Sequence, residues 1–277
     1  MCAISVTESK AIMRVPKGRI PFEFEREDLA KVVRLVMERR DTNVVGGNIS
    51  IRVTDETGKD YLVMTPTMMS EAYLGHLNAD QILVIDPETR KIVSGTGNLT
   101  REINMHEAIY ATSPDIKCVF HAHADQAMFW ATTGLNMPNV TEATQKLKEI
   151  KTCQWHPMCT EDLAQYMKKQ VEERLAKGQL RNAFLLNSHG VLFTNGGKDM
   201  DPLTALHGSL ADVDIVEWNA KIAYKQTVLQ MNGLLDGYYG EDTKIGTWAD
   251  VKAGKCLYNK KMVENLSLIH ISEPTRP

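Results

Sequence analysis

Two stretches of the chain carry hydrophobic residues at helical spacing, and each predicts an amphipathic helix. In the first, REDLAKVVRLVMERRD, the apolar stripe consists of Leu29, Val32, Val33 and Val36. The second, TEDLAQYMKKQVEERLAKG, is bounded by Thr160 as N-cap and Gly178 as C-cap. A further long helix is predicted from Pro202 to about Asn232, because proline suits the first position of a helix.

Short apolar runs predict the strands. The segment GGNISIRV alternates Ile49, Ile51 and Val53 with polar residues, a pattern typical of a half-buried strand. Further strands are predicted at YLVMT, QILVID and KIVSG, and the turn DPETRK separates the last two like a hairpin loop. The segment NAFLLNSHGVLFTNG predicts two strands around a break at His189 and Gly190.

A shorter helix and another strand are predicted in the middle of the chain. The helix covers LTREINMHEAIYA, with Thr100 as N-cap and Glu102 in the first turn, and the strand covers CVFHAH. Strands mix with helices, several strands are consecutive, and no linker divides the chain. We therefore expect one α/β domain over residues 20–260, with a sheet that is at least partly antiparallel.

Charge and cysteine usage narrow the class of protein. The 277 residues carry a net charge of -3, whereas a nucleic-acid-binding surface usually needs a basic stripe. No apolar run reaches the length of a membrane span, and the N-terminus lacks the pattern of a secretory signal. The five cysteines have no short paired spacing, which indicates reduced thiols. We expect a cytoplasmic protein with neither nucleic-acid nor membrane partners.

The extreme C-terminus differs in kind from the rest of the chain. The segment LSLIHISEPTRP, residues 266–277, resembles the conceptual translation of a transposase sequencing adaptor over its whole length. We interpret it as a non-native tail and leave its His270 out of the candidate site residues. The native C-terminus is accordingly expected to be missing.

Two of the eight histidines stand two positions apart in VFHAHADQ. Side chains at positions i and i+2 of a strand point to the same side, so His121 and His123 are expected to face one place. Neutral imidazole is the commonest metal ligand, but two hydrogen-bonded histidines at a strand end would give the same pattern. A catalytic zinc site usually has three protein ligands, and His189 beside Gly190 is the best third candidate. A loop histidine that caps a strand is the alternative for His189.

Glu102 and His106 share one face of a predicted helix, since they are four positions apart. A carboxylate in the first turn of a helix is favoured by the helix dipole alone, so Glu102 has a sufficient structural explanation. For His106 we favour a role in the core or behind the reacting groups over direct chemistry.

Several motifs follow one another in a fixed order: GGNISIR, TPT (Thr65 to Thr67), TREINMHEAIY, VFHAHA and NSHGVL. In this order they resemble the class II aldolase/adducin superfamily, which includes fuculose-phosphate and rhamnulose-phosphate aldolases and ribulose-phosphate 4-epimerase. The resemblance spans roughly Glu27 to Asn232. It implies an α/β/α sandwich with a mainly antiparallel central sheet, and usually a C4 homotetramer with active sites between neighbouring subunits.

The resemblance also assigns a metal site and a reacting carboxylate. It makes His121, His123 and His189 the ligands of a Zn²⁺ ion. Glu102 falls where the aldolases have their catalytic glutamate, and the epimerases have an aspartate there, which favours an aldolase. The expected reaction is reversible carbon–carbon cleavage through a metal-stabilised enediolate, with Glu102 as general acid and base.

The substrate side of the site departs from the pattern of the family. Asn48, Thr67 and Thr100 fall in the segments that bind the substrate phosphate in the sugar-phosphate members. Fuculose-type aldolases have a glycine where this chain has Met68, and small serines where it has Arg101. A guanidinium binds phosphate or carboxylate equally well, so the resemblance implies a sugar-phosphate or sugar-acid substrate without choosing between them.

A second acid or base is expected to serve the leaving alkoxide. In relatives it comes from the neighbouring subunit, after the loop that reads MPNVTEATQ here, and Glu142 is our candidate. A surface carboxylate would have the same sequence context. Tyr238 and Tyr239 are alternatives, because relatives use a tyrosine near the C-terminus.

Three functions remain open at this point. The first is a zinc-dependent aldolase acting on a small sugar phosphate or a related hydroxy-ketone. The second uses the same chemistry for epimerisation, dehydration or decarboxylation of a sugar-acid phosphate. The third is a non-catalytic, adducin-like interaction module, against which the three intact histidines argue.

Overall fold

Residues 20–232 are described by the computed structural model, and they alternate between helices and strands. The helices are α1 (Glu23–Arg39), α2 (Ile103–Tyr110), α3 (Asp125–Thr133), α4 (Glu161–Leu175) and α5 (Pro202–Met231). The strands are β1 (Asn48–Thr54), β2 (Asp60–Met64), β3 (Leu83–Asp86), β4 (Lys91–Ser94), β5 (Ile116–Ala122), β6 (Lys151–Cys153), β7 (Asn182–Leu186) and β8 (Gly190–Gly196). Short 3-10 helices cover Ala79–Gln81 and Glu142–Leu147.

The strands form one sheet in the order β4-β3-β2-β1-β5-β8-β7-β6. Neighbouring strands are antiparallel throughout, except for the parallel pair of β6 and β7. On β5, His121 lies opposite Asn48 of β1 on one side and opposite Leu192 of β8 on the other. In the centre of the sheet, the start of β1, the end of β5 and the start of β8 therefore lie side by side at the same end of the strands.

Helices cover both faces of the sheet. The alternation in β1 turns Ile49 and Ile51 towards the core that contains Leu29 of α1 and Val213 of α5. The opposite core packs α2 and α4 against the other face, through residues that include Ile109 and Met167. The result is the expected α/β/α sandwich with a mainly antiparallel sheet.

Most predicted elements are confirmed, because each has one clearly apolar side. In α1 the apolar stripe Leu29, Val32, Val33 and Val36 is fully or almost fully buried. The hydroxyl of Thr160 accepts a hydrogen bond of 3.2 Å from the main-chain nitrogen of Leu163, as an N-cap residue does. The last helix begins at Pro202 as predicted.

Two details of the prediction are corrected. The helix α2 begins at Ile103 with Glu102 as N-cap, so Thr100 is not the N-cap and Glu102 is not in the first turn. The reason is local: the hydroxyl of Thr100 accepts from the main-chain nitrogen of Glu102, at 3.4 Å, which forms a turn before the helix. The edge strand β6 was not predicted, since its three residues are too few to show an alternation.

The ends of the chain lie outside the described residues. The predicted domain range of 20–260 therefore stays a prediction, and so does the assignment of residues 266–277 as a non-native tail. Within residues 20–232, no helix is both long and apolar enough to span a membrane.

Candidate metal and active site

His121 stands near the end of the central strand β5 and is completely buried. Its Nδ1 lies 3.0 Å from the carbonyl oxygen of Val191 on the neighbouring strand β8. A carbonyl can only accept, so Nδ1 carries the proton and Nε2 keeps its lone pair. The main chain of β8 thus fixes both the tautomer and the orientation of a potential metal ligand.

His123 follows just after the end of β5 and is held from two sides. Its main-chain nitrogen donates to the Thr42 hydroxyl at 3.2 Å, and this hydroxyl donates to the carbonyl of Gly46 at 2.8 Å. A Cβ at Gly46 would lie 1.9 Å from Cε1 and Nδ1 of His123. Only a glycine therefore allows the loop before β1 to approach the imidazole this closely.

His189 lies in the tight turn that joins β7 to β8. Its main-chain nitrogen donates to the carbonyl of Leu186 at 2.9 Å, and Ser188 before it takes a left-handed conformation at φ 56°. A Cβ at Gly190 would come within 2.9 Å of ring atoms of His121 and His123. The ring centre of His189 lies 4.7 Å from that of His121 and 5.3 Å from that of His123, and the absence of a side chain at Gly190 leaves room for the latter two rings.

The three imidazoles form one cluster, which joins the pair predicted from the strand spacing to His189, the remote third candidate. One ring nitrogen from each lies within 4.8 Å of the other two, and Nε2 of His121 is 3.1 Å from Nε2 of His123. Burial, with neighbouring His189, holds the pKa of His121 well below its ordinary value, and the same causes lower that of His123 to about 4. These two imidazoles are therefore neutral at physiological pH, as metal ligands must be.

Glu102 completes the cluster with a buried carboxylate. Its Oε2 lies 3.4 Å from Nε2 of His121 and accepts a hydrogen bond of 2.8 Å from the side-chain amide of Asn48. Its Oε1 lies 3.3 Å from Nε2 of His189 and has no hydrogen-bond partner among the described residues. The Glu102 side chain makes no capping bond to α2, so its hydrogen bonding is directed to Asn48 and not to the start of the helix.

This donor set is suited to a divalent metal ion. Three imidazole nitrogens converge, with the Glu102 carboxylate 3.3–3.4 Å from two of them, and Nδ1 of His189 and Oε1 of Glu102 are buried without hydrogen-bond partners. Buried polar atoms without partners are costly, and a metal ion nearby is one way of stabilising such a carboxylate. His121, His123 and His189 could hold the ion, with Glu102 beside it.

Two of the predicted substrate residues, Asn48 and Thr100, contact Glu102. Asn48 and Thr100 are almost fully buried. The side-chain amide of Asn48 donates to the Glu102 carboxylate, and the Thr100 hydroxyl accepts from the main-chain nitrogen of Glu102. The loop of Thr67 is tied to that of Thr100, since the main-chain nitrogen of Thr67 donates to the carbonyl of Asn98 at 2.9 Å. Arg101 is exposed. That these residues bind substrate stays a prediction.

Comparison with known proteins identifies the family. Residues 27–205 match the Class II Aldolase and Adducin N-terminal domain.

The chain belongs to this family.

The relatives of this class II aldolase-family chain are named for two activities, an aldolase and a decarboxylase. An L-fuculose phosphate aldolase of Methanococcus maripaludis is 28% identical over 174 residues, which are 62% of this chain and 84% of the relative. A 3-oxo-tetronate 4-phosphate decarboxylase of Haemophilus influenzae is 26% identical over 177 residues, 64% of this chain and 78% of the relative. A solved L-fuculose 1-phosphate aldolase structure superposes with a TM-score of 0.58 at 24% identity, covering 74% of this chain and 86% of its own.

Of the candidates for the second acid or base, only Glu142 lies among the described residues, and no contact joins it to this cluster there. Glu142 is exposed at the start of a 3-10 helix. The loop before it is anchored to α5, because Oδ1 of Asn219 accepts from the main-chain nitrogens of Val140 and Thr141 at 2.9 and 3.0 Å. Tyr238 and Tyr239 lie outside the described residues. All three assignments stay predictions.

Four further residues belong to this region, although they were not singled out from the sequence. Ser50 and Tyr110 are buried and hydrogen-bonded to each other behind Glu102, and Gly46 supports His123. Burial raises the pKa of the Cys159 thiol, and Glu102 and Arg101 act on it from nearby, the first raising it and the second lowering it. The alternation of polar Asn48, Ser50 and Arg52 on β1 was the signal in the sequence that could have indicated Ser50.

Proposed function

We propose that this chain is a divalent-metal-dependent lyase, an aldolase that reversibly cleaves a carbon–carbon bond in a small sugar phosphate or related hydroxy-ketone. His121, His123 and His189 would hold the ion, and their all-nitrogen set beside a carboxylate favours zinc. The proposal rests on family membership and on the chemistry of the cluster. Several relatives are named as aldolases of this kind.

One observation supports the proposal most directly, the unpartnered Oε1 of Glu102 beside the three histidines. A structural carboxylate in the core would use both oxygens in hydrogen bonds, because a buried acceptor without a donor is unfavourable. An acid and base that exchanges a proton with a substrate carbon needs a free oxygen. We assign this proton exchange to Oε1. The hydrogen bond from Asn48 to Oε2 holds the carboxylate in a fixed orientation.

The residues around the ion have separate tasks. When bound, the ion would supply Lewis acidity that polarises a substrate carbonyl and stabilises the negative charge that develops on its oxygen. The Val191 carbonyl keeps the His121 imidazole in the tautomer that offers Nε2. Gly46, which has no side chain, leaves the room that the His123 ring occupies in the cluster. Asn48 orients the Glu102 carboxylate, so that the proton moves at a defined position.

We infer that the distal end of the substrate is anionic. Relatives are named for sugar phosphates, and Arg101, Thr67 and Thr100 lie on segments adjoining Glu102. A free guanidinium and small hydroxyls suit either a phosphate or a carboxylate. Asn48 uses both ends of its amide inside the protein, so any contact with the anion would involve its remaining amide hydrogen or its main chain.

A second candidate function is decarboxylation of a sugar-acid phosphate. The relative named 3-oxo-tetronate 4-phosphate decarboxylase supports it, and so does the exposed cation Arg101 next to Glu102. Loss of CO₂ from a 3-oxo acid leaves the same kind of carbanion as carbon–carbon cleavage, so the residues already assigned would serve both reactions.

The assembly and the second acid or base belong to the same proposal. We propose a cytoplasmic homotetramer in which Glu142 of one subunit approaches the cluster of the next. The exposed position of Glu142 and its anchored loop are compatible with this role. Its test is the mass of the assembly in solution, together with a Glu142→Gln variant that retains that mass and loses turnover.

A substrate panel with the metal-loaded protein tests the main proposal. The aldolase proposal expects condensation of dihydroxyacetone phosphate with one or more short aldehydes, at a rate that falls when a chelator removes the metal. Release of CO₂ from sugar-acid phosphates, with no condensation, would favour the decarboxylase instead. Absence of both reactions in protein that holds about one ion per chain would contradict the proposed function.

A further inference from the structure

A continuous row of polar side chains runs behind Glu102 in the otherwise apolar interface between β1 and α2. Asn48, Ser50 and Arg52 alternate along one face of the strand. Glu102, His106 and Tyr110 occupy successive turns along the facing side of the helix and its N-cap. The two sets stay in register, because two strand residues advance about 6.6 Å and four helical residues about 6 Å.

His106 is the centre of this row and has a defined partner at each ring nitrogen. Nε2 lies 2.5 Å from Oδ1 of Asn48, and Nδ1 lies 2.7 Å from Oγ of Ser50. The amide oxygen can only accept, so Nε2 carries the proton and Nδ1 receives the hydroxyl proton of Ser50. The ring is completely buried, and burial lowers its pKa to about 4, which keeps it in this neutral form.

The donors in the row all point the same way. Ser50 donates to His106, His106 donates to Asn48, and Asn48 donates at 2.8 Å to Oε2 of Glu102. Successive hydrogen bonds with one direction polarise each other, and here they end on a carboxylate oxygen. Oε2 therefore accepts from the protein, while Oε1 stays without a partner and faces His189.

The far end of the row is fixed to the main chain. The Tyr110 hydroxyl donates to the carbonyl of Ser50 at 2.8 Å. The Arg52 guanidinium lies 4.9 Å from the centre of the Tyr110 ring and donates to the carbonyls of Tyr110 and Ser113. Ser50 is thus held between a strand bond and a buried tyrosine, and the row has little freedom to rearrange.

We propose that Ser50, His106 and Asn48 are positioning residues that hold Oε2 of Glu102 as an acceptor and so present Oε1 to the substrate. This inference rests on the proposed role of Glu102 as the acid and base. It gives the buried His106 a task that a packing histidine would not have, because the protonated nitrogen decides which end of the Asn48 amide faces the carboxylate.

The first test is a direct observation of the His106 tautomer. Nitrogen NMR of the full-length, metal-loaded protein with ¹⁵N-labelled histidine should show His106 protonated at Nε2 and bare at Nδ1. In Ser50→Ala the donor to Nδ1 is lost, and a mixture of tautomers is expected. Ser209→Ala is the control, since Ser209 is equally buried but bonds to the carbonyl of Ala205 in its own helix and to the Cys118 thiol, not to His106 or Asn48. Protonation at Nδ1 in the unchanged protein would overturn the proposal.

The second test follows the Glu102 carboxylate itself. Crystal structures of the metal-loaded protein and of His106→Phe should show the Asn48–Glu102 bond in the first and its loss or displacement in the second. With the best substrate of the panel, His106→Phe should lower kcat by about 10²-fold with KM and metal content little changed, as expected for a misplaced reacting group. His106→Gln, which can still donate to Asn48, should recover most of that loss. An unmoved carboxylate, or equal losses in both variants, would contradict the proposal.

The tests separate this inference from the proposed function. If no substrate turns over, the proposed function fails, while the tautomer and the position of the carboxylate still decide the inference. If Glu102→Gln abolishes turnover but His106→Phe, folded and metal-loaded, does not reduce kcat, the positioning role fails and the proposed function stands. A His106→Phe chain that does not fold leaves Ser50→Ala as the deciding variant, and unchanged kcat and tautomer in Ser50→Ala would then overturn the inference.

Discussion

Gly46 lies directly against the imidazole of His123, so closely that a Cβ on Gly46 would be 1.9 Å from two of the ring atoms. Real Cβ contacts are never this short, and His123 would have to leave the cluster to make room. The spacing between the loop before β1 and the end of β5 therefore depends on a residue with no side chain.

Gly46→Ala should consequently disrupt the metal site while sparing the fold. We expect the affinity for zinc to fall by about 10–100-fold, the usual effect of disturbing the support of a ligand. Titration of the metal-free protein with zinc in competition with a chelator measures this. The control is Gly197→Ala, whose new Cβ would meet its nearest neighbour at 3.4 Å, an ordinary contact. Equal affinities of the two variants would contradict the expectation.

Removing a ligand should have a larger effect than disturbing its support. His123→Ala and His189→Ala should each lower the metal content from about one ion per chain to a small fraction of it, with the far-ultraviolet circular dichroism unchanged. His207→Ala is a suitable comparison, because His207 is exposed and pairs with Asp28 at 2.9 Å away from the cluster. Full metal content in the two ligand variants, measured by mass spectrometry, would exclude the three-histidine site.

Glu102→Gln should separate catalysis from metal binding. The amide keeps an acceptor for Asn48 but cannot exchange a proton, so kcat should fall by roughly 10²–10⁴-fold while zinc stays bound. Glu107→Gln, on the same helix and paired with Arg90 at 2.6 Å, is the matched control and should retain turnover. If the Glu102 variant turned over at a near-normal rate, the acid and base would have to be sought elsewhere.

Arg101 is expected to select anionic substrates. Arg101→Ala should reduce kcat/KM for phosphorylated or carboxylated substrates far more than for neutral analogues, since binding energy at the distal end positions the reacting centre. Arg101→Lys should restore only part of it, because a point charge lacks the planar fork of a guanidinium. The comparison variant is Arg90→Ala, another exposed arginine. Equal losses on neutral and anionic substrates would refute anion recognition.

The buried His106 should make stability depend on pH. Its pKa is about 4 in the folded chain because of burial, against an ordinary value of 6.5. Between these values the unfolded chain binds a proton that the folded chain does not, so the free energy of unfolding falls as pH falls from 6.5 towards 4. In denaturant unfolding, the free energy of unfolding of the unchanged protein should fall by roughly 1 kcal/mol more per pH unit than that of His106→Gln in this window. Parallel pH profiles of the two proteins would contradict it.

The sequence allowed the helices and most strands to be predicted, because burial on one side imposes a period on the chain. The stripe of α1 and the apolar positions of β1 are examples, and the structure buries both sets. The strand β1 is not half-buried as predicted, however, because its polar residues Asn48 and Ser50 are buried as well. The edge strand β6 was missed, since its pairing with β7 depends on a neighbour rather than on its own pattern. The start of α2 was placed too early, because the hydroxyl of Thr100 bonds to the main-chain nitrogen of Glu102 in a turn that precedes the helix.

The sequence by itself determined the candidate chemistry, the two histidines at strand spacing, the remote third histidine and the glutamate before a helix. It could not determine which polar atoms meet. Asn48 and Glu102 are 54 positions apart, and His106 and Asn48 are 58 apart. Their contact depends on the order of strands in the sheet and on the docking of α2 across β1, which no local pattern encodes. Tertiary structure alone therefore decided which oxygen of Glu102 is held by the protein and which is left free.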